Sequence, residues 1–157
     1  MADPPPLPRA ADIPADENLR QFAGYNMKRA YLLVREDMNR TLEPLELRTA
    51  TFSALAIITE NPDITQTQLS QAMSIDRSGV VVIVDQLEEA ELISRGRVPG
   101  DRRSYALRAT IQGRKKWKEA EQAVRAHEAR LFSALTAEEQ SLLGDLLRRI
   151  TDSNREG

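Results

Sequence analysis

The apolar positions in the first third of the chain recur at helical spacing. They predict one amphipathic helix from Glu17 to about Arg40, with an apolar face formed by Leu19, Phe22, Ala23, Ala30, Leu33, Val34 and Met38. Pro44 interrupts this pattern, and a second apolar stripe predicts a helix from Arg48 to about Glu60. Residues 1–16 are rich in proline and poor in apolar side chains, so we expect a disordered tail there and a flexible tail over 153–157.

The middle of the chain has the pattern of a short helix, a break and a longer helix. Thr65 is suited to cap a two-turn helix over Gln66–Met73, and the next helix, capped by Asp76 or Ser78, extends to about Ala90. The β-branched residues 80–84 by themselves favour a strand. We predict a helix instead, because the polar continuation is helical and one helical face collects the apolar side chains Val80, Ile83, Val84 and Leu87.

A hairpin and two further helices complete the pattern. Leu92–Arg97 and Ser104–Arg108 alternate partly around a turn rich in Pro, Gly and Asp, which predicts a β-hairpin. Thr110 starts a long helix with a coiled-coil-like seam of Trp117, Ala120, Val124, His127 and Leu131. A capping box at Thr136–Glu139 opens the last helix, whose stripe is Leu142, Leu143, Leu146, Leu147 and Ile150. The predicted fold class is mainly α (α+β), a winged helix-turn-helix with long N- and C-terminal helices.

The charge distribution points to a nucleic-acid partner although the net charge is −2. Between Arg95 and Lys118 nine basic residues stand against Asp101 alone, a local charge of +8 that leaves −10 for the rest of the chain. A local positive charge attracts phosphates, while an acidic remainder limits indiscriminate binding. The alternative for the cluster Arg114–Lys118 is a solvated basic helix face.

The composition argues against several other classes. There is no cysteine and only one histidine, so neither a disulfide framework nor a zinc site of the usual ligands is expected. No nucleophile–base–acid set or phosphate loop is visible, and we expect neither an enzyme nor a cofactor. Without an apolar run of about 20 residues or a signal peptide, the expected location is the cytoplasm, with no membrane partner.

Residues 64–110 resemble the DNA-binding core of the MarR (multiple-antibiotic-resistance regulator) family. The resembling segments are Thr65–Ser70, Ser78–Val81, Val84–Glu88, Leu92–Arg95, Asp101–Ser104 and Leu107–Thr110. With the long flanking helices, the resemblance extends over about residues 17–152. It implies a single domain with a DNA-binding lobe over about 48–110 and dimerisation helices over about 17–40 and 111–152.

The expected DNA contacts follow from this arrangement, with the second helix of the pair in the major groove and the hairpin in the minor groove. The candidates are Thr65, Gln66, Arg77, Ser78, Gly79, Val81, Val82, Arg95, Arg97, Asp101, Arg102, Arg103 and Arg108. The resemblance implies that Asp101 orients Arg103 toward the minor groove, while Arg95 and Arg102 grip phosphates. Family members often carry a basic residue near Val82, and this chain does not. Val81 and Val82 are candidates for thymine-methyl contacts; the alternative is that both valines are core.

The resemblance also implies an effector cavity between the dimerisation helices and the DNA-binding lobe. Its candidate residues are Tyr25, Arg29, Tyr31, Arg35, Phe52 and His127, although a satisfied core or interface role is the alternative for His127. The implied function is a homodimeric repressor, released from a pseudo-palindromic operator by a small aromatic acid or its CoA thioester. Its partners are double-stranded DNA, a second copy and that effector. The alternative is a winged-helix protein–protein assembly module without ligand response, for which a wing lacking arginine is expected.

Overall fold

The computed structural model describes residues 15–98 and 100–154, and for residues 102–104 it describes the backbone only. The predicted tails therefore lie largely outside the described residues. Contacts divide the chain into two compact units, one ending at Val34 and the other beginning at Arg35. The prediction of a single domain over 17–152 is not tested by these units and stays a prediction.

The predicted first helix is two helices, so the expectation of one uninterrupted helix from Glu17 is wrong. Helix α1 spans Glu17–Arg20, and α2 spans Ala23–Leu42. The break follows from Asp16, whose carboxylate accepts a hydrogen bond of 2.7 Å from the hydroxyl of Tyr25. A straight helix would separate these two residues by about 14 Å along its axis, so the chain must turn between them.

The second unit begins with the end of α2 and a short 3₁₀ turn, Glu43–Leu45, in which Pro44 occupies the start. Helix α3 spans Thr49–Glu60, one residue shorter than predicted. Its inward face lies at the centre of the core, where Ala54, Leu55 and Ile58 are fully buried. This helix is therefore the support on which the following helices and the small sheet pack.

Helix α4 spans Gln66–Met73, as predicted. Thr65 caps it in a reciprocal capping box: its Oγ1 accepts from the backbone N–H of Gln68 at 3.2 Å, and Oε1 of Gln68 accepts from the N–H of Thr65 at 2.9 Å. Leu69 anchors the helix in the core with no exposed surface. Ser74 then ends it in the left-handed conformation at φ 54°.

Helix α5 spans Arg77–Glu89, so the strand alternative for residues 80–84 is wrong. The reason is that burial of the apolar face contributes more free energy than low helix propensity costs. Low helix propensity costs up to about 0.7 kcal/mol per β-branched residue, whereas full burial of a Val, Ile or Leu side chain contributes about 1.5–3 kcal/mol. One helical face buries four such side chains, Val80, Ile83, Val84 and Leu87.

Three antiparallel strands, in the order β1-β3-β2, form a small sheet: β1 Ile64–Thr65, β2 Ile93–Val98 and β3 Asp101–Ala109. The predicted hairpin is confirmed, with Ile93 opposite Ala109 and a register irregularity between Arg97 and Val98. Strand β3 begins three residues earlier than predicted. Strand β1 was not predicted, because two residues are too few to show an alternating pattern.

Helix α6 spans Ile111–Leu131, and α7 spans Ala137–Ser153. The seam predicted for α6 faces inward: Ala120 and His127 are buried, and Trp117 packs against the core with its ring 5.1 Å from that of Phe52. The capping box of Thr136 and Glu139 is confirmed. None of the residues of α7 is buried.

This architecture confirms the predicted fold class, a mainly helical winged helix with a small antiparallel sheet and long terminal helices. Within the described ranges, no helix has the length and hydropathy needed to cross a membrane.

Candidate nucleic-acid interface

The helix-turn-helix is fixed by local hydrogen bonds around its three-residue break. The hydroxyl of Ser70 donates to the carbonyl of Ile75 at 2.7 Å, which holds the break against α4. Asp76 caps α5 by accepting from the N–H of Gly79 at 2.7 Å and from the hydroxyl of Ser78 at 2.9 Å. These hydrogen bonds, that of Gly79 foremost, lower the pKa of Asp76, so the cap is charged at neutral pH.

The face of α5 opposite its buried residues is exposed to solvent. Arg77 and Ser78 are exposed, and Val81 and Val82 expose 43% and 56% of their surface. The alternative that both valines are core residues is therefore wrong. A DNA contact by these residues is consistent with their position and stays a prediction.

Three of the predicted DNA contacts also have structural roles in the caps. Thr65 and Ser78 use their hydroxyls in the caps of α4 and α5. At Gly79 a Cβ would lie 3.1 Å from Oδ1 of Asp76, so the missing side chain leaves room for the cap. Gln66, the first residue of α4, is half-buried.

Arg95 lies in an intramolecular ion-pair cluster, and its predicted contact with a phosphate stays a prediction. Its guanidinium pairs with Asp85 and lies 3.3 Å from Oε2 of Glu88, and 22% of the side chain is exposed. Both carboxylates belong to α5, whereas Arg95 belongs to β2. The cluster therefore ties the base of the hairpin, the wing, to α5, which we call the recognition helix. Asp85 and Glu88 were not predicted as partners of Arg95, and only their spacing along α5 gave a signal.

Arg108, opposite Ser94 at the base of the hairpin, also has an acidic partner. Its Nε and Nη2 each lie 2.5 Å from one oxygen of Asp63, a bidentate pair that lowers the pKa of Asp63 and raises the pKa of Arg108. The pair is exposed, so it does not bar Arg108 from DNA. Arg97, between these two arginines along the hairpin, is exposed, and no carboxylate among the described residues lies within ion-pair distance of it.

The tip of the wing is a tight turn. Gly100 has φ 84°, a conformation that a residue without Cβ adopts without strain. Asp101 is exposed at the start of β3. The side chains of Arg102 and Arg103 lie outside the described residues, so the predicted orientation of Arg103 by Asp101 stays a prediction.

Two of the predicted effector residues in the first unit form a hydrogen bond or an ion pair with Asp16. Tyr25 donates to its carboxylate, and Arg29 forms an ion pair with it while lying 5.9 Å from the centre of the Tyr25 ring. Hydrogen bonds from Arg20 and Tyr25 lower the pKa of Asp16 to about 2. Tyr31 exposes 60% of its surface.

The remaining effector candidates belong to the second unit. Phe52 packs against Trp117, Arg35 is exposed, and His127 is 1% exposed with its Nδ1 2.5 Å from Oδ2 of Asp37. Two cavities among the described residues, of about 610 and 620 Å³, are lined by other side chains. The chain by itself therefore does not gather the six effector candidates around one of these cavities. No group of three or more His, Cys, Asp or Glu side chains suited to a metal occurs in the part of the chain described.

Comparison with known proteins identifies the class of this interface. The MarR family profile matches residues 47–105, which include the helix-turn-helix and most of the wing. A protein of Thauera aromatica, to which the transcriptional regulation of the hcr operon has been assigned, is 34% identical over 128 residues, covering 81% of this chain and 77% of its own length.

Comparison with solved structures gives the same class of protein as the sequence comparisons. The transcriptional repressor CouR bound to a 23-mer DNA duplex is 36% identical, with a TM-score of 0.82 over 85% of this chain and 95% of that one. CouR from Rhodococcus jostii RHA1 bound to p-coumaroyl-CoA is 30% identical, with a TM-score of 0.76 over 84% and 93% of the two chains. The chain belongs to the MarR family and is a winged helix-turn-helix, DNA-binding transcriptional repressor rather than an enzyme.

Proposed function

We propose that this repressor acts as a homodimer on a pseudo-palindromic operator and leaves it when an aromatic acid or its CoA thioester binds. The observation that carries the DNA-binding part is the outward face of α5, which presents Arg77, Val81 and Val82 beside a basic hairpin. A helix of this size fits the major groove, and arginines on a hairpin suit the narrow, strongly negative minor groove.

The dimer is supported by apolar surface that the chain leaves uncovered. In α7 the stripe of five leucine and isoleucine side chains is 39–57% exposed, and the first unit separately exposes Leu19, Phe22 and Leu33. Stripes of this kind are expected to pack against a two-fold mate. A two-fold symmetric dimer matches a pseudo-palindromic operator, whose half-sites one DNA turn apart require recognition helices about 34 Å apart.

The effector class is proposed by analogy with CouR, which is bound to p-coumaroyl-CoA in one of its structures. Aromatic and cationic side chains suit such a ligand, and the candidates are Tyr25, Arg29, Tyr31, Arg35, Phe52 and His127. Arg29 is already paired with Asp16, so an anionic ligand would compete with that carboxylate for the guanidinium. Binding that prefers one dimer geometry shifts the population away from the geometry that fits DNA.

The test is a mobility-shift titration of the intact protein on the DNA upstream of its own gene. p-Coumarate and p-coumaroyl-CoA are then added to the complex, with CoA and acetyl-CoA as controls that lack the aromatic group. We expect one aromatic compound to release the DNA while both controls leave it bound. Release by CoA alone, or no release by either aromatic compound, would contradict the proposed effector class. Absence of a specific complex, both on this DNA and on duplexes selected from a randomised library, would contradict the proposed operator binding.

A further inference from the structure

Two apolar side chains occupy the middle of the outward face of α5. Val81 and Val82 expose 43% and 56% of their surface, although four other apolar residues of the same helix are buried. Exposed valine has low helix propensity, and these two side chains bury little apolar surface within their own chain. Their position is therefore unfavourable for the isolated chain unless something else contacts them.

Two polar neighbours of the valines on this face are committed to other contacts, whereas Arg77 and Gln86, nearer the helix ends, are exposed. Ser78, one helical turn before the two valines, donates its hydroxyl to the Asp76 cap. Asp85, one turn after Val81, forms an ion pair with Arg95. The centre of the recognition helix thus offers methyl groups rather than hydrogen-bond donors or acceptors.

Among the base edges in the major groove, the thymine C5-methyl is the apolar group, and every other distinguishing feature is a donor or an acceptor. Valine has neither donors nor acceptors, so a favourable base contact from this position requires that methyl group. Two valines form a patch far smaller than a protein–protein interface of about 800 Å² per partner, so the patch suits a base edge better than a protein.

We propose that Val81 and Val82 give this repressor its base preference by packing against thymine C5-methyl groups, so that its operator carries thymines at the centre of each half-site. The inference rests on the proposed docking of α5 in the major groove. It names the residues that determine specificity and the chemical group that they recognise.

The experiment separates the methyl group from the rest of the base. A duplex is selected from a randomised library by the intact protein and then resynthesised with deoxyuridine in place of every thymidine, which removes only the methyl groups. We expect the dissociation constant at fixed salt to rise about four-fold for each methyl group that the valines no longer meet, from the transfer free energy of one buried methylene group. The double variant V81A/V82A should bind the two duplexes with equal affinity.

Ile111→Ala provides the matched control, because Ile111 is an 82% exposed apolar residue on α6. This variant should keep the full difference between the thymidine and deoxyuridine duplexes. Equal binding of both duplexes by the unaltered protein would overturn the inference, a result that does not depend on how any variant folds. An equal loss on deoxyuridine DNA in the unaltered protein and in V81A/V82A would also overturn it, by assigning the effect to DNA shape. Failure to select any specific duplex would overturn the proposed function together with this inference.

Discussion

Oδ2 of Asp37 on α2 lies 2.5 Å from Nδ1 of His127 on α6, and the imidazole ring is 1% exposed. The pKa of Asp37 is lowered, chiefly by this hydrogen bond, so the carboxylate is ionised and accepts the proton of Nδ1. Nη2 of Arg130 lies 3.2 Å from the same oxygen. Among the described residues, Nε2 of His127 has no hydrogen-bond partner. The pair joins the end of α2 to α6.

The first prediction concerns the pH dependence of this pair. Because the folded pKa of Asp37 lies below its unfolded value, the carboxylate stabilises the fold above the unfolded pKa of about 4. That contribution is lost as the pH falls through the folded pKa. Asp37→Asn should therefore lower the Tm at pH 7, and the difference from the unaltered protein should shrink in acid. Thermal unfolding followed by circular dichroism between pH 7 and the acid limit measures it, and a difference that is constant with pH would refute the coupling.

The second prediction tests the junction between the sheet and α6. A Cβ on Gly113 would lie 1.8 Å from the backbone oxygen of Leu92, an oxygen that also accepts the N–H of Thr110 at 3.0 Å. The three atoms nearest to this Cβ are backbone atoms of Leu92, which cannot move aside as a flexible side chain could. Gly113→Ala should therefore lower the free energy of unfolding by roughly 1–3 kcal/mol or more. Urea denaturation measures the change.

Gly144→Ala is the matched control for this substitution. Gly144 also lies within a helix, α7, and a Cβ there would meet nothing within 4 Å. Since alanine is the better helix former, this variant should be as stable as the unaltered protein or more so. Equal destabilisation by both substitutions would show that helix propensity, and not the contact with Leu92, governs Gly113.

These examples show which features the sequence could predict. The helix caps could be predicted from the sequence because the two partners lie three residues apart, as for Thr65 with Gln68 and Thr136 with Glu139. Helix α5 was readable because its apolar face is periodic. The break after α1 could not be predicted, because it accompanies the hydrogen bond and the ion pair that Asp16 forms with residues 25 and 29.

The candidate site was predictable to a similar extent. The positions of the recognition helix and the wing follow from local patterns. The partner of Arg95 does not, because Asp85 lies on another element and only the folded chain brings the two charges together. A count of basic residues therefore overstates the charge available to DNA, since Arg95 and Arg108 both have acidic partners.

The third prediction separates two arginines of the wing that the sequence does not distinguish. Arg97 is exposed, whereas Arg95 is bound by Asp85 and Glu88. Arg97→Ala should leave the Tm unchanged, weaken operator binding, and reduce the slope of log affinity against log salt by about 1 for each phosphate that the protein no longer neutralises. Arg95→Ala should instead lower the Tm, because two carboxylates lose their partner.

Fluorescence anisotropy over a salt series, with melting curves of the same preparations, distinguishes the two variants. Asp85→Asn is the companion change, since it removes the same ion pair without removing a cation. A stable Arg95→Ala protein with a reduced salt slope would show that Arg95 contacts phosphate and that its ion pair opens on DNA.

The last prediction concerns the apolar stripe of α7, on which the proposed dimer depends. None of the residues of α7 is buried, so the described residues of the single chain do not cover this stripe. A stable homodimer interface is expected to bury more than about 2,000 Å² of accessible surface in total. The intact protein should therefore sediment at twice its chain mass of 17.6 kDa at micromolar concentration.

Leu146→Asp places a charge in the stripe and should shift the protein to monomers or aggregates with loss of operator binding. Ser141→Asp, on the opposite face of α7, should leave the dimer intact. A sedimenting mass near that of one chain for the unaltered protein, or equal effects of the two substitutions, would refute the dimer.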